Sequence, residues 1–418
     1  MLLYRIKNAQ LKGEISIPPS KSQTLRAILF ASMAKGISSI HNHLKSPDTD
    51  AMIEACRLFG AKIEVTPHCL EIEGLDGQIK ATEDVINAGN SGIVLRFCAA
   101  LGALSSHPVV ITGDYSIRHQ RPMKELLNGL NQLGAKAQSM RGDNYAPIII
   151  QGPLKKGSAV IQGTDSQPVS ALLIAAAFAE GPIDITIENP GEKPWVQLTL
   201  NWFDRLGITY QGTYQLPGLA RYKSFNYTVP GDLSSAAFPL AAALVTQSEL
   251  TLKNIDMEDM QGDKELIFVL QTMGAKIEID GTTLHIKKSS LKGIKVDIND
   301  FVDSLPVLSV IACFAEGETH IYNAAICRHK ECDRIHSIAT ELTKMGADIQ
   351  ELPDGLIIRP SRLKAAALYS HHDHRIAMAL TVAALGSDGE SSISEVECIS
   401  KTFPDFKEDF NYLGAGIL

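Results

Sequence analysis

Six apolar stretches of this chain are each preceded by a small cluster of hydroxyls, carboxylates or cations. Before the first stand Ser20, Lys21 and Ser22, with Arg26 one turn in. The second follows "GNSG" (89–92), with Arg96 one turn in, and the third follows Asp165, Ser166 and Gln167. The fourth follows Gly231 and Asp232 with Ser234 and Ser235, the fifth Asp303 and Ser304, and the sixth His372, Asp373, His374 and Arg375. A Ser or Asp at such a place reads as an ordinary helix N-cap. The cations do not. A helix dipole is positive at its N-terminus, so Lys21, Arg26, Arg96 and Arg375 each oppose it by about 0.3–1 kcal/mol. They become favourable when an anion lies between them and the exposed N–H groups. Further cations lie in "SIRHQRPM" (116–123: Arg118, Arg121), in "CRHKECDR" (327–334: Arg328, Lys330, Arg334, with Glu331 and Asp333) and in "SKTFPDF" (400–406: Lys401). Arg328 and Asp333 also fit a solvated helix face. Together these residues point to recognition of a small ligand carrying several negative charges.

The elements that must position them recur. "RLFGAKIEV" (57–65), "QLGAKAQ" (132–138), "RLGITYQ" (205–211), "TMGAKIEI" (272–279), "KMGADIQEL" (344–352) and "YLGAGIL" (412–418) each read as a helix end, a glycine C-cap and a strand. Their glycines, at 60, 134, 207, 274, 346 and 414, are 67 to 74 residues apart. A period of that length is the mark of a repeated architectural unit. The six Ala- and Leu-rich stretches interleave with it and are apolar nearly all round, so they predict buried helices. The unit is strand, buried helix, strand, amphipathic helix, strand. Six units predict an α/β (α+β) fold of two domains, each built of three βαβαββ-type repeats around buried parallel helices. The boundary falls near "FNYTVPGD" (225–232). The chain ends on a strand, so residues 1–19 must supply one elsewhere. The expected domains are 20–228 and 1–19 plus 229–418, with the active site in the cleft between them.

Composition narrows the function. A net charge of −8 argues against a general nucleic-acid binder. The seven cysteines include no CxxC pair, which suits reduced thiols in a cytoplasmic protein. The N-terminus lacks a signal-peptide core, and no apolar run reaches the roughly 18 residues of a membrane span.

"PPSKSQTLR" (18–26) resembles the P-x-S-K-S-x-x-x-R start of the EPSP synthase (3-phosphoshikimate 1-carboxyvinyltransferase) family of enolpyruvyl transferases, and "GNSGIVLRF" (89–97) resembles its G-N-[AS]-G-T-x-x-R loop. "GDYSIRHQRPM", "SQPVSALL", "PGDLSSAAF", "HKECDR", "DHRIAMAL" and "KTFPDF" follow in the family's order over essentially the whole chain. The resemblance implies the family's inverted α/β barrel domains. It also implies transfer of the enolpyruvyl group of phosphoenolpyruvate to the 5-hydroxyl of shikimate 3-phosphate, by addition and then elimination of phosphate. That reaction belongs to the shikimate pathway to chorismate and the aromatic amino acids. It implies no metal or organic cofactor, no nucleic-acid or membrane partner, and a monomer.

Carried over residue by residue, the resemblance places Lys21 on both substrates, and Ser22 and Arg26 on the shikimate carboxylate. Ser166, Gln167 and Lys330 would bind shikimate 3-phosphate. Arg121, Arg334, Arg375 and Lys401 would bind phosphoenolpyruvate, with Gly92 allowing close backbone approach and Gln167 touching both ligands. Asp303 would contact the acceptor as base or orienting acceptor for its hydroxyl. Glu331 and Lys21 are the candidates for protonating the methylene carbon.

Four positions depart from the family pattern. Ile93 replaces a Thr beside the phosphoenolpyruvate site, which predicts reduced inhibition by glyphosate. Asp165 replaces the first Ser of a Ser-Ser-Gln phosphate contact. In "GEKPW" (191–195), Glu192 stands for another phosphate-binding Ser and Trp195 for Tyr. Two carboxylates near a phosphate require compensating cations, and Lys193 adjoins one. The alternatives are a relative with another acceptor, such as UDP-N-acetylglucosamine, or a non-catalytic anion-binding relative. The first carries a reactive Cys in the loop matching "GDYSIRHQRPM", which this chain lacks, and Asn where Ser22 stands. The retained Lys21, Asp303, Glu331 and Arg375 argue against the second.

Overall fold

The computed structural model describes residues 2–66, 69–212 and 214–418. The chain divides into two compact units, Pro19–Val229 (the first unit) and Met1–Pro18 with Pro230–Leu418 (the second). Each has its own hydrophobic core. The six apolar stretches are helices: α1 (Lys21–Met33), α2 (Gly92–Gly102) and α3 (Ser166–Phe178) in the first unit, α4 (Leu233–Val245), α5 (Leu305–Phe314) and α6 (His374–Gly386) in the second. Nearly every residue of each is buried. α2 packs on α3, and α4, α5 and α6 pack on one another.

Five of these helices start on side-chain caps. Ser20 accepts from the Gln23 N–H, Ser91 from Val94, Asp165 from Gln167, Asp232 from Ser235 and Asp373 from Arg375, at 2.8–3.4 Å. α5 differs: Ser304 sits at its start without a side-chain cap bond, and Asp303 turns away to other partners.

The repeat is visible in the backbone. Gly60, Gly134, Gly207, Gly274, Gly346 and Gly414 all have φ between 69° and 106°. In each copy the N–H of the residue after the glycine donates to the carbonyl five positions back, from Ala61 to Cys56 through Ala415 to Phe410, at 2.9–3.1 Å. This six-to-one bond is the Schellman closure, which needs a left-handed residue that glycine adopts without steric cost.

The described residues form six sheets, three in each unit. Each combines one parallel pair with antiparallel pairs. In four of them the parallel pair brackets a buried helix: Ile86–Asn87 with Val109–Thr112, Gly157–Gln162 with Ile183–Glu188, Lys295–Asp297 with Thr319–Tyr322, and Ala367–Tyr369 with Glu390–Ser394. The other two exchange strands. Lys12–Ser16, which precedes α1, pairs in parallel with Glu249–Lys253 of the second unit, and Asn226–Thr228, which precedes α4, pairs with Ile37–His41 of the first. In the four sheets whose parallel pair brackets a buried helix, the helical crossover puts that helix on the sheet face. Among the described residues no helix is long and apolar enough to cross a membrane.

Candidate active site

In the first unit the cations at the helix starts are buried and held by carboxylates or carbonyls. Lys21, in the first turn of α1, lies 3.8 Å from Asp48, itself buried at the start of the helix Pro47–Leu58. One turn later Arg26 donates to Thr199 Oγ1 (3.0 Å) and to the carbonyls of Ser22 and Trp195, and its guanidinium stacks over Phe97 of α2 at 5.1 Å. That clamp fixes the guanidinium plane at the α1 start, beside Ser22.

The starts of α2 and α3 meet through Arg96, which is 1% exposed. Its Nη1 donates to Gln167 Oε1 (2.8 Å), and its Nη2 lies 3.1 Å from the Pro122 carbonyl and 3.2 Å from Asp165 Oδ2. Gly92 sits against this pair. A Cβ placed on it would lie 2.9 Å from Arg96 Nη1, 3.0 Å from Gln167 Oε1 and 3.9 Å from Cζ of the buried Arg121. Gly92, Gln167 and Arg121 are thus brought together, and Ile93 is buried directly after them.

The unusual carboxylates have specific partners. Asp165 caps α3 and pairs with Arg96; Lys193, the neighbour of Glu192, is exposed. Glu192 is buried, with left-handed backbone (φ 46°), and its Oε2 accepts from both the N–H (2.9 Å) and the hydroxyl (3.1 Å) of Ser166. An internal carboxylate therefore occupies the anion-attracting end of α3.

In the second unit one guanidinium organises the charges. Arg334, 1% exposed at the start of the helix Arg334–Lys344, donates Nη1 to Asp303 (2.7 Å), Nη2 to Glu331 (2.7 Å) and Nε to Asp373 (2.7 Å). Asp303 also accepts from Arg375 Nη2 (2.8 Å), and Glu331 from Lys401 Nζ (3.0 Å). Burial alone would raise the pKa of Asp303, but Arg375, Arg334 and Lys330 together hold it well below the usual carboxylate range. The expected residues Asp303, Lys330, Glu331, Arg334, Arg375 and Lys401 therefore form one cluster. Arg328 lies outside it, tied to Asp333 and Glu351 on the surface. Arg118 likewise turns to the Gly113 carbonyl.

Two buried carboxylates, Asp48 and Asp263, were not singled out from the sequence, and Asp373 was named there only among the residues at the α6 start. Asp48 lies in "SPDTD", which opens the helix Pro47–Leu58, and Asp263 in "MQGDK", in the short turn Gly262–Lys264, whereas Asp373 is the cap of α6 and also a partner of Arg334. Their second roles depend on contacts far along the chain. Among the described residues no group of three His, Cys, Asp or Glu side chains is placed to hold a metal ion.

A buried array of cations cross-linked by carboxylates at the starts of parallel-strand crossover helices is a preorganised receptor for anionic groups. The fold is shared with solved EPSP synthases: one from Acinetobacter baumannii gives a TM-score of 0.82 at 29% identity, covering 100% of this chain and 99% of that one. The profile of the EPSP synthase (3-phosphoshikimate 1-carboxyvinyltransferase) family matches residues 6–410, and the chain belongs to that family. Among its relatives, the 3-phosphoshikimate 1-carboxyvinyltransferase of Chlamydia caviae is 46% identical over 100% of this chain and 95% of its own length. That of Acetivibrio thermocellus is 42% identical over 100% and 99%.

Proposed function

We propose that this protein transfers the enolpyruvyl group of phosphoenolpyruvate to the 5-hydroxyl of shikimate 3-phosphate, giving 5-enolpyruvylshikimate 3-phosphate and phosphate. The observation that carries the proposal is the Asp303–Arg334–Glu331–Lys401 chain with Arg375 attached to Asp303. It sets two carboxylates between cations suited to a substrate bearing both a phosphate and a carboxylate.

The chemistry assigns roles to these groups. Protonation of the methylene carbon of phosphoenolpyruvate develops positive charge at the adjacent carbon, which the 5-hydroxyl attacks as it gives up its proton. Asp303 is strongly acidic here, so it acts as the oriented acceptor of the hydroxyl hydrogen; its basicity rises when bound anions draw Arg375 and Arg334 toward themselves. Glu331 and Lys21 are the candidates for delivering the proton to carbon. Loss of a methyl proton and of phosphate then restores the enol ether. Lys21, Ser22, Arg26, Ser166, Gln167 and Lys330 would hold the acceptor, and Arg121, Gln167, Arg334, Arg375 and Lys401 the donor beside Gly92.

Glu192 favours one second reading, in which the acceptor lacks a phosphate at the α3 start. A phosphate-release assay with phosphoenolpyruvate and, in turn, shikimate 3-phosphate, shikimate and UDP-N-acetylglucosamine separates them. Turnover with shikimate 3-phosphate alone is expected. Folded protein that turns over only another acceptor refutes the assignment.

A further inference from the structure

Asp263 is a buried carboxyl group beside Asp303 that has no part in the chemistry above. It lies in the short turn Gly262–Lys264 and is 2% exposed. Its Oδ1 accepts from Ser304 Oγ at 3.2 Å, and its Oδ2 accepts from Ser234 Oγ. Ser304 directly follows Asp303, and Ser234 is the second residue of α4. One carboxyl group thus ties the start of α4 to the segment that carries Asp303.

The charges around it decide its state. The turn packs against Asn299–Ser304, which carries Asp300 and Asp303, against α4, which has no charged side chain but follows Asp232, and against the helix Glu265–Thr272, which carries Glu265. Lys264 directs its amine to the carbonyls of Met257 and Asp259. Arg375 is the cation that acts on Asp263, and it is already bonded to Asp303. Ionising Asp263 would set a second buried negative charge against Asp303 and compete for the same guanidinium. Burial and the charge on Asp303 accordingly push the Asp263 carboxyl up to about 7.

We infer that Asp263 is a positioning residue: protonated, it holds Ser304 and α4 and leaves Arg375 free to turn from Asp303 to the donor anion, and ionised, it competes with that anion for Arg375 and slows the reaction. The kinetic part rests on the proposed reaction; the ionisation itself does not.

The test compares wild type with Asp263→Asn, Asp263→Ala and Ser304→Ala. Asparagine keeps an acceptor for Ser304 and offers an N–H to Ser234, so it imitates the protonated form. The wild type is expected to lose kcat on the alkaline side with a midpoint near 7. Asp263→Asn should keep the wild-type rate below that midpoint and lack the alkaline loss. Asp263→Ala and Ser304→Ala should fall at every pH, by about 10-fold or more. An Asp263→Asn profile with the wild-type midpoint overturns the inference. So does a fall as deep as that of the alanine variant with the pH dependence unchanged. Thermal unfolding gives the readout that needs no turnover. A carboxyl raised in the folded state makes the wild type lose stability relative to Asp263→Asn from about pH 4 to about pH 7, with a constant gap above. Absence of turnover with that gap present defeats only the proposed reaction; absence of the gap defeats the inference.

Discussion

Replacing Gly92 by Ala should weaken phosphoenolpyruvate binding without unfolding the protein. Gly92 opens α2, and its methyl would arrive 2.9 Å from Arg96 Nη1 and 3.0 Å from Gln167 Oε1. Those two atoms are bonded to each other at 2.8 Å. Arg96 is also held by Asp165 and the Pro122 carbonyl, so Gln167 has to move. A hydrogen bond to a charged group contributes about 1.5–3 kcal/mol. Against that loss, Ala stabilises a helix relative to Gly by up to about 1 kcal/mol. Folding stability should therefore fall by no more than about 3 kcal/mol. If Gln167 and Arg121 serve phosphoenolpyruvate, the same displacement raises its KM by about 10- to 100-fold. Steady-state phosphate release, varying each substrate in turn, measures it beside a thermal melt. A KM for phosphoenolpyruvate within about twofold of wild type would refute the claim that this contact shapes the donor site.

Three further outcomes follow from the charge arrangement. Glu192→Gln keeps an acceptor for Ser166 but removes the carboxylate charge, so the KM for shikimate 3-phosphate should fall; an equal or higher KM would count against repulsion at that seat. Arg334→Lys cannot reach Asp303, Glu331 and Asp373 together and should cost about 3–5 kcal/mol of stability, read by denaturant unfolding; a loss below about 1 kcal/mol would contradict the cross-linking role. The pKa of Asp303 is lower folded than unfolded, so its stabilisation is present above about pH 4 and is lost as pH falls. Asp303→Asn should flatten the acid side of the stability curve, and an unchanged acid slope would contradict the arginine pairing.

The fold was legible because its cues are local and repeated. Each of the six helix-to-strand glycines sits where only a left-handed residue closes the Schellman bond, so the backbone requirement is written into the sequence at every copy. The residues three positions before four of those glycines repeat as well. Arg57, Asn131, Gln271 and Asn411 each donate to the carbonyl six positions ahead. The cations at the helix starts were legible for the opposite reason, because they contradict the dipole and demand an explanation. Their partners were less so. Asp48 reaches Lys21 across 27 residues, and Asp263 reaches Ser304 across 41. Asp48 lies in the first turn of a helix and Asp263 in a short turn, where a dipole partner, a cap or a solvated side chain is the ordinary expectation. Asp165 shows the limit most clearly. Lys193, close in sequence to Glu192, suggested where compensation would come from, whereas the structure supplies it for Asp165 through Arg96 on another helix.

That compensation bears on how such a site binds. A buried cation left without a partner would cost several kcal/mol, so a receptor for anions has to stabilise its cations while no ligand is present. Here carboxylates do this: Asp48 for Lys21, Asp165 for Arg96, Asp303 and Asp373 for Arg334, Glu331 for Lys401. A substrate phosphate or carboxylate then exchanges one anionic partner for another, and desolvation of the cation is already complete. The exchange also changes the carboxylates released. Each would lose part of its cationic neighbourhood and become more basic, which is the direction that proton abstraction by Asp303 would require in the proposed reaction. In the proposed reaction, binding of the donor anions and activation of the acceptor hydroxyl would then be one electrostatic event. Glu192 marks a place where the exchange would differ, because it is itself a carboxylate that accepts from the Ser166 N–H and hydroxyl at the start of α3, and an incoming phosphate there would have to displace it.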